Sequence, residues 1–488
     1  MRRPLTRLAI TAALAASLGA CSENNGTDPP TDRFFFPTAL ALHRPTAGAR
    51  ADYLYVTNSD FDLAYNGSTV VQVALSPVDQ LRTQLAAVND ACRMTPSACS
   101  DTATASLQVR SGMPAVTVRC TRDFEARDAW LCPDAPLILS DRTRKLNPYA
   151  VEASLATYRN GAQRLYVIVR GGNSLAWFDV QPDGTLDCGP ADERGYCSAT
   201  HYAGNDPAQS PGGLVLPQES SQLSVDPDRG WIVMTHQSFT LDVAHASLLR
   251  DPIAESATTQ SPGPALVSTL GGISAGLSSL VLLPRAAMGD RSTWLATSRA
   301  ESVFTLLQAY EGTASLGDNR AFLYRAAAAP VTGLNTGTNN RAIALDPAPG
   351  AASRRAYVVS RSPEALLTVD ISNPSAPSVI DATAIPQGPS RLVAVWHLSI
   401  GHTYVYAVSY DTRWIYVVDP SEHRVVAQIA TLRGPHNLAY DEVDGMLYVI
   451  DFLDSAIEVI DLRPELNGAA NPSFNRRVLT FGRPGRGA

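Results

Sequence analysis

Three short runs near the end of the chain decide how the rest folds: Leu438-Ala439-Tyr440-Asp441, Gly445-Met446-Leu447-Tyr448-Val449-Ile450-Asp451 and Ala456-Ile457-Glu458-Val459-Ile460-Asp461. Tyr, Val and Ile fill the second and third runs, as strands prefer. Asp441-Glu442-Val443-Asp444-Gly445 joins the first two as a tight turn, with Asp to open it and Gly to supply positive φ. The same order recurs seven times, with second strands at Tyr53–Asn58, Arg164–Val169, Gly230–Thr235, Trp294–Ser298, Ala356–Ser360, Thr403–Ser409 and the stretch just quoted. A fourth, outer strand follows several units, at Leu266–Leu270, Ser378–Ala382, Val425–Thr431 and Arg477–Phe481. Four antiparallel strands per unit, repeated radially, predict an all-β, seven-bladed β-propeller with disulfide-stapled loop insertions. No helical period accompanies the repeat, which excludes helical solenoids.

Leu54-Tyr55-Val56-Thr57-Asn58 matches in full the name-giving stretch of the YVTN-type β-propeller repeat family, which the chain resembles. Pro435, Leu447-Tyr448-Val449 and Val459-Ile460-Asp461 match later parts of that repeat. Units five to seven fit it well, one to three loosely, and unit four departs most. The resemblance implies a fold and no single function, because the family includes surface proteins, binding scaffolds and some enzymes. Residues 76–147, 181–210 and 311–338 fall outside the repeat and read as insertions. Phe34-Phe35-Phe36 reads as part of the first strand.

The N-terminus carries an export signature. Arg2, Arg3 and Arg7 precede the apolar Leu8–Leu18, which is too short for a bilayer core of ~30 Å. Leu18-Gly19-Ala20-Cys21 resembles the lipobox of bacterial lipoproteins. That implies cleavage before Cys21, acyl chains on it, and anchorage in membrane lipid. Ser22 in place of Asp implies the outer membrane in such families, with the facing side undetermined. The expected division is a signal over 1–20, a polar tether over 21–33 and one propeller domain over 34–488.

Seven cysteines are present, and lipidation of Cys21 leaves six. They fall into local couples, Cys92 with Cys99, Cys120 with Cys132 and Cys188 with Cys197. Six cysteines allow 15 pairings, so nearest-neighbour pairing is an expectation and not a deduction. Zinc is disfavoured, since no Cys-x-x-Cys occurs and an oxidising compartment favours disulfides. Loss of the leader takes the formal charge from −7 to −10, which argues against nucleic acid as a partner. Lys145 is the only lysine, so amine chemistry would rest on one residue.

In a propeller, the starts of the innermost strands and the turns after the second strands share one face around the channel. Mapped on the sequence, that face offers Asn58, Asp60, Arg170, His236, Arg299, Arg341, Arg361, Arg391, Asp411, His436, Asn437 and Asp451. This is a polar mouth of mixed sign, suited to a protein, peptide or glycan partner. Asn and Asp there also serve turn backbones without any ligand. The alternative is a metal-assisted, lactonase-like hydrolase using Asp60, His236, His436 and Asp451. Gly272-Ile273-Ser274-Ala275-Gly276 has the spacing of a nucleophile elbow, yet it aligns with the repeat at Gly388-Pro389-Ser390 and Gly434-Pro435-His436. No phosphate-loop or cofactor motif stands out, and neither a metal nor a cofactor is expected.

Overall fold

The structure is a computed structural model that describes residues 26–482 except 96, 98, 111, 127, 239–243, 257–261, 285–290, 313–320, 332–338, 350–353, 398–399 and 464–476. The proposed signal and Cys21 lie outside the described residues.

Among the described residues, seven sheets succeed one another along the chain. Their innermost strands are Pro37–His43, Ala150–Thr157, Ser220–Asp226, Leu277–Leu282, Asn340–Leu345, Pro389–His397 and Pro435–Asp441. Each lies beside the innermost strand of the next sheet, and the last returns to the first, so the sheets close into a ring. This is an all-β propeller. The second and third strands of the last sheet, Met446–Asp451 and Ala456–Asp461, are buried throughout, because neighbouring sheets cover both faces. The innermost strand Pro435–Asp441 is only half-buried, since it borders the channel. The apolar core sits between sheets: Tyr406 and Val408 of the sixth pack with Leu447 and Val449 of the seventh.

One irregularity recurs in all seven innermost strands. Pairing with the second strand slips at Pro37/Ala39, Ala150/Glu152, Ser220/Gln222, Leu277/Ser279, Asn340/Ala342, Pro389/Arg391 and Pro435/Asn437. Each slip leaves one extra residue unpaired, a β-bulge, which re-aims a side chain.

The described parts of the segments outside the repeat form regular elements. Residues 76–147 begin within a 20-residue helix, α1 (Leu75–Met94). Its Leu75, Val78, Leu81 and Leu85 join a core cluster with Trp130, Tyr448 and Phe481. Strands Thr102–Leu107, Val116–Arg122 and Trp130–Cys132 then extend the seventh sheet, with Trp130–Cys132 parallel to Leu479–Phe481. Residues from the first unit therefore clasp the last. Leu186–Asp187 and Tyr202–Ala203, within 181–210, pair with the third strand of the second sheet. The stretch 311–338, expected as a looser insertion, contributes Ala321–Pro330, the outer strand of the fourth sheet.

One further expectation is corrected. Phe34-Phe35-Phe36 precedes the first strand, and its rings fill the seam with the last sheet: Phe34 lies 5.9 Å from Phe481 and Phe36 lies 5.2 Å from Phe452. The described part of the tether packs down, with Thr27 bridged to Tyr65 and Asp28 3.1 Å from the Lys145 ammonium. The three disulfides join Cys92–Cys99, Cys120–Cys132 and Cys188–Cys197. Among the described residues, no helix is long and apolar enough to cross a membrane.

Candidate functional site: a cationic channel mouth

The seven bulge residues are Thr38, Val151, Ser221, Ser278, Arg341, Ser390 and His436, and every one lines a single cavity of about 700 Å³ at the channel mouth. The repeat thus delivers one side chain per sheet to a common centre. Where that residue is Thr or Ser it serves the fold. Thr38 Oγ1 donates to Ala150 O (3.0 Å), Ser221 Oγ to Leu277 O (3.3 Å) and Ser278 Oγ to Asn340 O (2.6 Å), each stapling one sheet to the next. Arg341 and His436 depart from the hydroxyl pattern and present a cation and an imidazole instead.

The turns after the second strands add Arg170, Arg299 and Arg361, and the strand following the sixth bulge adds Arg391. Five guanidinium groups therefore face one cavity. Three have carboxylate partners: Arg170 with Glu219 (3.6 Å), Arg361 with Asp411, and Arg391 with Glu152 (2.7 Å). Gly388 makes room for the second pair. Its φ is +69°, and a Cβ there would lie 2.4 Å from the Asp411 carboxylate. Among the described residues Arg299 donates to the neutral Gln237 amide (2.6 Å) and to no carboxylate, since Glu301 is turned to the Ala275 N–H (3.0 Å). Arg341 pairs with no carboxylate among the described residues, and the Nε groups of both Arg299 and Arg341 are buried without an acceptor. Burial, reinforced by the fields of Arg299, Arg361 and Arg391, pulls the Arg341 pKa down to about 9.

An aromatic wall completes the mouth. Phe61 and Phe452 meet edge to face at 5.2 Å, Phe452 lies 5.7 Å from the His436 ring, and Tyr410 lies 6.3 Å from His436. All four line the cavity. Burial, together with Arg391 and Arg170, lowers the His436 pKa to about 3, so its ring is neutral near pH 7. The wall comes from the first, sixth and seventh sheets, whereas Arg299, Arg341 and Arg361 come from the fourth and fifth. Guanidinium groups and aromatic rings thus share one cavity.

Of the twelve positions singled out by sequence, Arg170, Arg299, Arg341, Arg361, Arg391 and His436 line the cavity. The other six do not. Asn58 is buried, accepting from Phe35 N (3.3 Å) and donating to Thr69 Oγ1 (2.9 Å). Asp60 is buried and accepts from Tyr65 N (2.9 Å), organising a turn. His236 is sealed between Ser220 Oγ (3.1 Å) and Ser247 Oγ (2.8 Å), and burial lowers its pKa to about 3. Asp411 supports Arg361. Asn437 Nδ2 reaches Thr38 O (3.2 Å) and Glu152 Oε1 (3.4 Å). Asp451 is fully buried, and desolvation followed by the Glu458 charge raises its pKa well above the carboxylate range.

Asp60, His236 and Asp451 are thus outside the cavity that His436 lines, so the four proposed metal ligands do not share it. Among the described residues, no group of three or more His, Cys, Asp or Glu side chains is placed to hold a metal. Ser274 is buried, with its Oγ 3.1 Å from Thr305 Oγ1, as a structural residue would be.

Glu152 was not among the sequence candidates. It sits below the mouth, one residue past the second bulge, and bonds Gln222 and Asn437 besides Arg391. It therefore ties the second, third, sixth and seventh sheets at the axis. The aromatic wall was also missed, although Tyr410 and Phe452 each directly follow a second strand.

Fold and site together define a class: a propeller with an arginine-rich, aromatic-walled mouth. No protein-family model matches the chain, and no curated protein matches it either. Solved structures similar to it include the periplasmic gluconolactonase of Pseudomonas aeruginosa, at 12% identity and TM-score 0.48, over 83% of this chain and 88% of that one. A functionally unknown protein from Desulfotomaculum acetoxidans aligns at 11% identity and TM-score 0.45, over 71% of this chain and 89% of that one. AztD of Citrobacter koseri aligns at 11% identity and TM-score 0.41, over 91% of this chain and 87% of that one.

Proposed function

We propose that this protein is a recognition module that captures an anionic ligand in the mouth of a seven-bladed propeller of the YVTN type. We also propose that an acylated Cys21 presents it from the bacterial cell envelope. One observation carries the binding reading: five guanidinium groups face one cavity, and among the described residues only three of them have carboxylate partners. An unpaired, partly buried cation is costly, and an anion that enters restores the lost interaction. The chemistry of capture is the same whether the ligand is free or borne on a protein, peptide or glycan. Calorimetric titration with small organic anions tests this. Affinity is expected to drop at least tenfold in Arg341→Gln and to fall steeply with salt. Equal affinity in the variant would overturn the assignment.

A lactone hydrolase working in the same mouth is the second reading. The arginines would stabilise the oxyanion formed when a lactone ring is attacked. Against it stands His436, whose pKa of about 3 makes it a weak base near neutral pH. Ring opening of a sugar lactone above the uncatalysed rate, abolished in Arg391→Gln, would favour this reading over binding alone.

A further inference from the structure

We propose that the ligand of the mouth is a dianion carried on a ring or other flat apolar body, such as a phosphate monoester of a ring alcohol. This rests on the reading of the mouth as an anion site and adds the ligand's charge and shape.

The charge follows from the pairing. Arg299 and Arg341 are the two guanidinium groups of the cavity with no carboxylate among the described residues. Each also holds a buried Nε–H with no acceptor. A monoanion would leave one of them uncompensated, whereas a dianion with several acceptor oxygens satisfies both. Guanidinium suits that task, because its planar fork matches phosphate and carboxylate oxygens two at a time.

The shape follows from the aromatic residues of the mouth. Phe61 is 61% exposed although it lies within the cavity lining, edge to face with Phe452. Single exposed apolar residues are ordinary on protein surfaces. Here the exposed ring continues a wall with Phe452, His436 and Tyr410, in the same cavity that Arg299 and Arg341 line. A bare inorganic anion would leave that wall wet. A ligand with one charged end and one apolar face covers both.

Calorimetry with three probes and the full chain separates the claims. The probes are phenyl phosphate at pH 8, where the second phosphate proton is lost, its methyl diester with the same ring and one charge, and inorganic phosphate. Phenyl phosphate is expected to bind at least tenfold tighter than either of the others. Arg341→Gln should erase its advantage over the diester, and Phe61→Ala, a change at an exposed site, its advantage over inorganic phosphate. Equal affinity for the diester would overturn the dianion, and equal affinity for inorganic phosphate would overturn the apolar body; in both cases anion capture stands. Failure of all three probes to bind would overturn the anion site itself.

Discussion

Arg341 and His436 occupy the same structural position in two different sheets: each is the extra residue of the bulge that opens an innermost strand. In four of the other five sheets that position holds Ser or Thr, and three of those hydroxyls bond the next sheet. At two points of a repeated scaffold the mouth thus carries a guanidinium or an imidazole where most equivalent positions carry a hydroxyl.

A trade between stability and binding follows. Arg341→Ser restores the hydroxyl of the neighbouring sheets and removes a guanidinium whose Nε is buried without an acceptor. The variant is expected to gain about 0.5–1 kcal/mol of stability while losing anion affinity. Urea denaturation beside calorimetry checks both. A loss of more than about 1 kcal/mol would show that Arg341 is a structural residue.

Glu152 is the axial tie. Arg391 Nη2 donates to its carboxylate at 2.7 Å across 239 residues of sequence, and desolvation raises the Glu152 pKa. Glu152→Ala strands Arg391 without its partner and is expected to cost about 3–5 kcal/mol. Glu152→Gln, which keeps an acceptor, should cost less. Similar losses in the two variants would contradict a role for the charge.

The sealed His236 makes a pH dependence. Its folded pKa of about 3 lies below the ordinary value of 6.5, so below pH 6.5 the unfolded chain binds a proton that the folded chain refuses. Its contribution to stability is therefore lost as pH falls from about 6.5 towards 3, at about 1.4 kcal/mol per pH unit. Asp451, Glu458 and Glu152 act in the opposite sense, since their raised pKa values favour proton uptake by the folded state. The comparison is therefore between the parent and His236→Gln, in which those groups are unchanged. The acid limb of the stability curve should be shallower in the variant by that slope, and parallel curves would refute the assignment.

The clasp between first and last sheets gives a local test. The Cys120–Cys132 disulfide lies beside the parallel pairing of Trp130–Cys132 with Leu479–Phe481. The double change Cys120→Ala and Cys132→Ala is expected to cost about 2–4 kcal/mol and to raise amide exchange at residues 479–481 first. Protection that stays unchanged there would mean the clasp does not depend on the bridge.

Anchorage is tested at Cys21. Metabolic labelling with a fatty-acid probe should mark the parent, and Cys21→Ser should be unlabelled and remain unprocessed by the lipoprotein peptidase.

Some features absent from the sequence reading were open to it. Leu75, Val78, Leu81 and Leu85 carry the spacing of one helix face, which an eye tuned to alternating strands passes over. Phe452 and Tyr410 stand directly after second strands, where a mouth residue belongs. Glu152 had no such signal, because its partners Gln222, Arg391 and Asn437 come from three other sheets.

The sequence alone determined the strand order and the turns, because each depends on neighbours within one unit: alternating burial and Asp–Gly turns; the cysteine couples were an expectation that the structure decided. It also brought Arg170, Arg299, Arg341, Arg361, Arg391 and His436 to the right end of the ring, since that follows from position in the repeat. Only the tertiary structure decided the rest. Whether a polar side chain faces the cavity or is sealed beside it, as His236 and Asp451 are, depends on the bulge and on contacts between sheets. Likewise, a mouth that looks mixed in sign by composition becomes cationic once Glu219, Asp411 and Glu152 are each committed to one arginine and two arginines are left over.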